Sequence, residues 1–174
     1  AASDVYKRQP YQLPGSDVVT NVGGGCGVCN LREATKQSLN TSFLRLQADL
    51  KNGTQDTADM AHALGVAKSL PGIEKTLTEK GKQPFEGIVL GQYQSRPLDM
   101  ATAMSTLANQ GVWHNPHFVQ RVENAAGEVL YEHPEDEGER RVSSNVANNV
   151  LEAMEPVAAW SNGALEGGRA YASK

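Results

Sequence analysis

Ser38 and Asn40 stand two positions apart in KQSLNTSF, between two runs with helical periodicity. A serine or asparagine ahead of such a run ordinarily serves as an N-cap, accepting a hydrogen bond from an amide two or three residues on. A cap needs only one side chain of this kind. Two of them in an extended turn project to the same side, where a hydroxyl and a carboxamide supply the donors and acceptors that proton transfer at a reacting carbonyl requires. Both readings stand on this stretch alone. Cys26 and Cys29 form Cys-Gly-Val-Cys just ahead of a helical segment. The same spacing lowers a thiol pKa in redox motifs, but those follow a strand, and here a Pro- and Gly-rich stretch precedes it. A structural zinc site needs about four ligands, and only two cysteines occur. The GGGCG run lacks both the Gly-Lys-Ser/Thr ending of a phosphate loop and the spacing of a dinucleotide fingerprint. His114 and His117, with Pro116 between them, read as a loop-to-strand corner and not as a metal pair, and His62 and His133 show no partners in the sequence. No cofactor and no metal are expected.

The elements that must position these residues follow from periodicity and punctuation. Residues 10 to 29 show no helical period and read as an irregular surface loop. Asn30 and Glu33 have the form of a capping box opening a short helix to about Gln37. After the Ser-Leu-Asn turn, Phe43, Leu46 and Leu50 recur at helical spacing until Gly53, and a further helix over 54 to 65 ends at Gly65. Glycines and prolines break the pattern from Leu70 to Gln94, which reads as a surface excursion. The strongest helix covers 97 to 110, with Pro97 in its first turn and Met100, Ala103, Met104, Leu107 and Ala108 as an apolar stripe. HFVQRV and EVLY flank residues 124 to 127 as a hairpin. Ser144 caps a last helix with Val146, Val150, Leu151 and Met154 inward and Pro156 as its stop, and GGRAYASK reads as the beginning of a strand. The fold class is mixed α/β, mostly helical, with a β-hairpin and a terminal strand.

A chain of 174 residues fits one domain of about 100 to 200 residues. Its 39% hydrophobic and 21% charged residues describe a globular protein, and no apolar run reaches the roughly 18 residues of a membrane span. A net charge of -4 with scattered Lys and Arg leaves no footprint for nucleic acid. Residues 1 to 9, AASDVYKRQ, resemble a translated sequencing-adapter remnant and are set aside from fold reasoning.

LREATKQSLNTSF resembles the Ser-x-Asn motif of penicillin-binding transpeptidases, in which a short helix, this turn and a following helix occur in the same order. IVLGQYQSRPLDMATAMSTLANQGVWHNPHFVQRVENAAGEVLY resembles the stretch leading to the family's third motif, Lys-Thr-Gly. PVAAWSNGALEGGRAYASK is similar to the approach to that motif, ending on its lysine, Lys174. The resemblance covers residues 10 to 174 and is strongest to bifunctional class A proteins of high-GC Gram-positive bacteria, whose loops before Ser-x-Asn carry a similar Cys-rich turn. It implies the serine β-lactamase and transpeptidase fold and a parent protein that cross-links peptidoglycan stem peptides ending in D-Ala-D-Ala through a serine acyl-enzyme. β-Lactams would trap that acyl-enzyme. It also implies a glycosyltransferase region, a membrane anchor and a place in the cell envelope on the extracytoplasmic face of the plasma membrane, all for the parent. Ser38 would relay a proton to the leaving nitrogen, Asn40 would hold the substrate carbonyl and the family's catalytic lysine, and Lys174 would hold the substrate's carboxylate. Without the GGRAYASK context, Lys174 would be an ordinary solvated lysine. In that compartment a local disulfide between Cys26 and Cys29 is the expectation.

The departures are specific. No Ser-x-x-Lys, the family's nucleophile motif, precedes Ser38, and no Thr-Gly follows Lys174, so this segment by itself is expected to be inert. Arg96 stands where the family often has a capping Thr or Ser. A serine β-lactamase is one alternative, but class A members need Glu-x-x-x-Asn, and Glu74 and Glu79 are followed four residues later by Thr78 and Gln83. The other alternative is a non-catalytic module that binds β-lactams or scaffolds partners.

Overall fold

Asn30 starts the first helix by accepting a hydrogen bond from the Glu33 amide at 2.9 Å. Only that half of the expected capping box forms, because the Glu33 carboxylate turns instead to the Gln37 amide nitrogen at 2.6 Å and to Lys36 at 3.5 Å. The computed structural model describes residues 6–7, 10–15, 17–22, 26–163, 165–169 and 171–174. Among them, β1 (Tyr6–Lys7) pairs antiparallel with β4 (Val28–Cys29), and β2 (Tyr11–Gln12) with β3 (Val18–Val19). The loop expected over 10 to 29 thus carries short ladders; Gly23 to Gly25 of its glycine run lie outside the described residues. Of the nine residues set aside at the start, Tyr6 and Lys7 are described, in that ladder.

Helices α1 (Leu31–Lys36), α2 (Asn40–Ala48), α3 (Thr54–Leu64), α4 (Pro97–Ala108) and α5 (Ser144–Val157) follow. Between α3 and α4 the excursion forms a 3-10 helix, Glu86–Leu90. It is not merely surface: Leu77 and Ile88 enter a core with Ala58 of α3 and Val66. Gln47 of α2 ties three of these elements together, donating to the Glu86 carbonyl and accepting from the Thr57 hydroxyl, both at 2.9 Å.

Two helices bury a face rotated from the expected apolar one, α4 keeping Ala103 and Leu107 of its stripe inside. On α4, Asp99, Thr102, Ala103, Thr106 and Leu107 are buried, whereas Met100 and Met104 are exposed. The polar members of that face are satisfied in place. Thr102 donates to the Leu98 carbonyl and Thr106 to the Leu64 carbonyl, each at 2.8 Å. Small side chains also allow α3 to end against α4: a Cβ on Gly65, whose φ is 132°, would stand 2.6 Å from the Thr102 methyl. On α2 the buried residues are Thr41, Ser42, Leu44 and Gln47, with Phe43 and Leu46 half-buried and Leu50 exposed.

Asp99 is 3% exposed. Its carboxylate accepts from the Arg96 backbone amide at 3.2 Å and from the Arg96 guanidinium at 2.7 Å. Arg96 therefore occupies the N-cap of α4 without acting as an acceptor, and Asp99, reaching back from inside the helix, satisfies the exposed amide in its place. The Arg96 guanidinium above all holds the Asp99 carboxyl below the ordinary aspartate range, and amide donors from Arg96 and Ala67 act in the same direction.

Strands β5 (Val112–Trp113) and β8 (Glu139–Arg140) pair, as do β6 (Arg121–Glu123) and β7 (Val129–Glu132), the expected hairpin. Asn124 shapes its turn, its side-chain oxygen accepting from the Ala126 and Glu128 amides at 3.0 and 2.9 Å. Helix α5 is capped by Ser143, not Ser144, through the Val146 amide at 3.3 Å. It buries Ala147, Met154 and Val157, leaving Val146 and Val150 exposed. Pro156 does not stop it; the chain continues through a π-turn, Ala158–Asn162. Among the described residues the expected terminal strand does not form: residues 171 to 174 pair with none of the described strands. No helix among the described residues is long and apolar enough to cross a membrane.

Because the folded-state pKa of Asp99 is lowered, its contribution to stability is complete above about pH 5 and is lost as the pH falls toward that lowered value. Asp99→Asn is expected to lower stability at pH 7 by about 1–3 kcal/mol and to flatten the acid limb of the stability profile. Urea unfolding of both proteins between pH 7 and pH 3 measures it, and equal slopes on the acid side would contradict the assignment.

Candidate active site

The last turn of α1 determines where Ser38 points. The Leu39 amide donates back to the Ala34 carbonyl at 3.0 Å and the Ser38 amide to the Thr35 carbonyl at 3.1 Å, the paired bonds of a Schellman helix end. Such an end needs a left-handed residue, usually glycine, at the position Ser38 holds. Ser38 adopts it, with φ of 54°, so the turn is left-handed and not extended. A side chain in that conformation costs on the order of 1–2 kcal/mol, and strain of this kind collects at functional sites.

Leu39 drives the turn into the protein. It is 1% exposed and packs with Ala34 and Cys29, with Cys26 and Phe43 against them. A disulfide joins Cys26 to Cys29, Cα atoms 5.7 Å apart, and so braces the floor beneath Leu39. The middle residue of Ser-Leu-Asn is thus the anchor, which leaves Ser38 exposed and Asn40 half-exposed.

Neither Ser38 nor Asn40 caps α2. The N-cap position is Leu39, without a side-chain bond of its own, and the function passes to Asn21. The Asn21 side chain accepts from the Thr41 amide and donates to the Thr41 hydroxyl, both at 3.0 Å. Ordinary cap energetics, about 1 kcal/mol, are therefore supplied from twenty positions upstream. Ser38 and Asn40 side chains form no hydrogen bond with other described residues, and both remain available to a ligand. No local pattern in the sequence marks Asn21 for this role.

Lys174 reaches the same turn. Its ammonium donates to the Thr35 carbonyl at 3.0 Å, the oxygen that also accepts the Ser38 amide. A carbonyl has two lone pairs, and here one serves the helix end and the other a lysine from the far end of the sequence. Partial desolvation lowers the Lys174 pKa from the ordinary lysine value. Ser38 and Lys174 are brought together; Asn40 opens the next helix two residues on.

The remaining sequence candidates lie elsewhere. His117 and His133 stack with ring centroids 3.6 Å apart, His114 lies 3.5 Å from Asp136, and His62 bonds the Val66 carbonyl at 3.0 Å. His62 and His133 thus have partners that the sequence did not show. No group of three or more His, Cys, Asp or Glu among the described residues is arranged to hold a metal.

The profile of the penicillin binding protein transpeptidase domain matches residues 2–174. Penicillin-binding protein 1A of Mycolicibacterium smegmatis is 52% identical over 169 residues, 95% of this chain and 22% of the relative. That of Mycobacterium tuberculosis is 52% identical over 170 residues, 95% of this chain and 21% of the relative. The chain thus spans less than a quarter of the length of these relatives. Among solved structures, penicillin-binding protein PonA1 from Mycobacterium tuberculosis superposes with a TM-score of 0.90 at 48% identity, over 97% of this chain and 45% of that one. A second structure of PonA1, in complex with penicillin V, superposes with a TM-score of 0.87 at 49% identity, over 95% of this chain and 44% of that one. The chain belongs to the transpeptidase domain family of penicillin-binding proteins, within its class A group.

Proposed function

We propose that this segment supplies the proton-transfer and substrate-holding groups of a peptidoglycan D,D-transpeptidase whose nucleophilic serine lies in a part of the domain outside the 174 residues. One observation carries this: the Thr35 carbonyl gathers Lys174 beside a serine held in a strained conformation, with its hydroxyl committed to no other described residue. PonA1, which is similar over nearly the whole segment, has been solved with penicillin V.

In the proposed reaction the external serine attacks the carbonyl of the penultimate D-alanine of a stem peptide. A C–O bond forms and the C–N bond to the last D-alanine breaks. Ser38 passes a proton to the departing nitrogen, and Lys174 holds the terminal carboxylate through a charge-assisted contact. Asn40 donates to the substrate's backbone carbonyl and accepts from the lysine that activates the nucleophile. An amino group of a neighbouring stem then attacks the ester, forming the cross-link and restoring the serine. A β-lactam enters by the same route and stays as the acyl-enzyme. A disulfide-braced floor fits an oxidising compartment, which supports the extracytoplasmic face of the plasma membrane as the location. A membrane anchor and a glycosyltransferase region of the complete protein belong to the same proposal. So does the separation of residues 1 to 9 from a partial transpeptidase domain over 10 to 174.

The complete domain is expected to be labelled by a fluorescent penicillin and the 174-residue segment alone to take no label. Asn40→Ala in the complete domain should slow labelling about a hundred- to a thousandfold, the usual cost of losing one positioned donor. Its thermal unfolding should change little, since Asn21 provides the cap. A labelling rate equal to that of the unsubstituted domain would refute the role given to Asn40.

A further inference from the structure

Trp160 is 60% exposed although it is among the largest apolar side chains of the protein. It stands in the π-turn Ala158–Asn162 that follows α5, and such turns are frequent at functional sites. The ring is held in place: the Lys36 ammonium lies 4.7 Å from its centroid, and Lys36 is itself bonded to Glu33 at 3.5 Å. Lys36 sits on the last turn of α1, next to Thr35 and two residues before Ser38. That one turn therefore carries Lys174 on the Thr35 carbonyl, Trp160 against Lys36, and Ser38. The other tryptophan, Trp113, is half-buried beneath Arg141, 5.0 Å from its ring centroid.

We propose that Trp160 is a specificity residue of the acyl-transfer site, an aromatic platform for the acyl chain that the donor carries on the amino group of the residue bearing its reacting carbonyl. This rests on the transpeptidase reading above and adds the part of the donor it recognises. A donor with its carboxylate at Lys174 and its scissile bond at Ser38 already occupies both of those neighbours. The next group along it runs past Lys36 of the same turn toward the Trp160 ring that Lys36 contacts, most of whose surface is open. An exposed indole offers a large, rigid contact area that loses little conformational freedom on binding, whereas Lys174 and Ser38 offer only polar contacts.

The test compares two penicillins that share the reacting bicycle and carboxylate but differ in the acyl side chain. Benzylpenicillin carries a phenylacetyl group and 6-aminopenicillanic acid carries none. In the complete domain, Trp160→Ala should slow acylation by benzylpenicillin about tenfold, the scale of one stacked ring contact, and leave acylation by 6-aminopenicillanic acid within about twofold. Trp160→Phe should restore most of the benzylpenicillin rate. Equal slowing with both compounds would mean that Trp160 only supports the fold, and unchanged rates with both would mean that the side chain does not reach it; either overturns the inference and leaves the transpeptidase reading intact. Failure of the unsubstituted domain to react with either compound would instead remove the reading on which it rests.

Discussion

The Thr35 carbonyl is the point on which the candidate site depends. A helix must stop somewhere, and this one stops by turning its last amides back onto Ala34 and Thr35. That geometry forces a left-handed residue, and the position is filled by serine where glycine would be at no steric disadvantage. The same oxygen accepts the Lys174 ammonium. One backbone group thereby fixes both the direction in which Ser38 leaves the helix and the distance at which a distant lysine arrives.

The surrounding structure keeps that turn from relaxing. Leu39 is buried over the Cys26–Cys29 disulfide, so the turn cannot lift. Asn21 satisfies the start of α2, so neither Ser38 nor Asn40 is drawn into capping. On the opposite side, Arg32 of α1 meets Glu152 of α5 at 3.1 Å, an exposed pair that contributes little energy by itself but marks where the late chain returns to the early one. Beyond α5 the π-turn delivers Trp160 and, further on, Lys174 to the same few residues. The candidate site thus draws on Asn21 and the turn from Thr35 to Thr41 on one side and on Trp160 and Lys174 on the other.

Helix positions were legible in the sequence because caps, prolines and glycines are local signals: Asn30, Gly65, Pro97 and the hairpin turn at Asn124 do in the structure what their types imply. The buried faces of α2 and α4 were not. Apolar periodicity selected Phe43 and Leu46, or Met100 and Met104, while the structure buries Thr41, Ser42, Thr102, Thr106 and Asp99. Threonine can be interior when its hydroxyl returns to a helix carbonyl, and aspartate when a guanidinium and two amides meet it; neither condition is visible in a hydrophobic pattern. The Ser-Leu-Asn motif was recognisable by resemblance; its left-handed turn rests on local bonds to Ala34 and Thr35 that a serine at a helix end does not announce, while its remote cap at Asn21 and the arrival of Lys174 at Thr35 depend on contacts between positions twenty to more than a hundred residues apart. The terminal strand failed for a related reason, since a β pattern states a preference and only a neighbouring strand realises it.

Ser38→Gly in the complete domain, followed by thermal unfolding and acylation rate together, tests the central claim most directly. Glycine adopts the left-handed conformation without strain, so a residue serving only to end α1 would be replaced at no loss. The account predicts a melting temperature equal to or slightly above that of the unsubstituted domain and an acylation rate lower by about a hundred- to ten-thousandfold, the range of a lost proton-transfer group. An unchanged acylation rate at unchanged stability would contradict it and leave Ser38 as an ordinary helix stop.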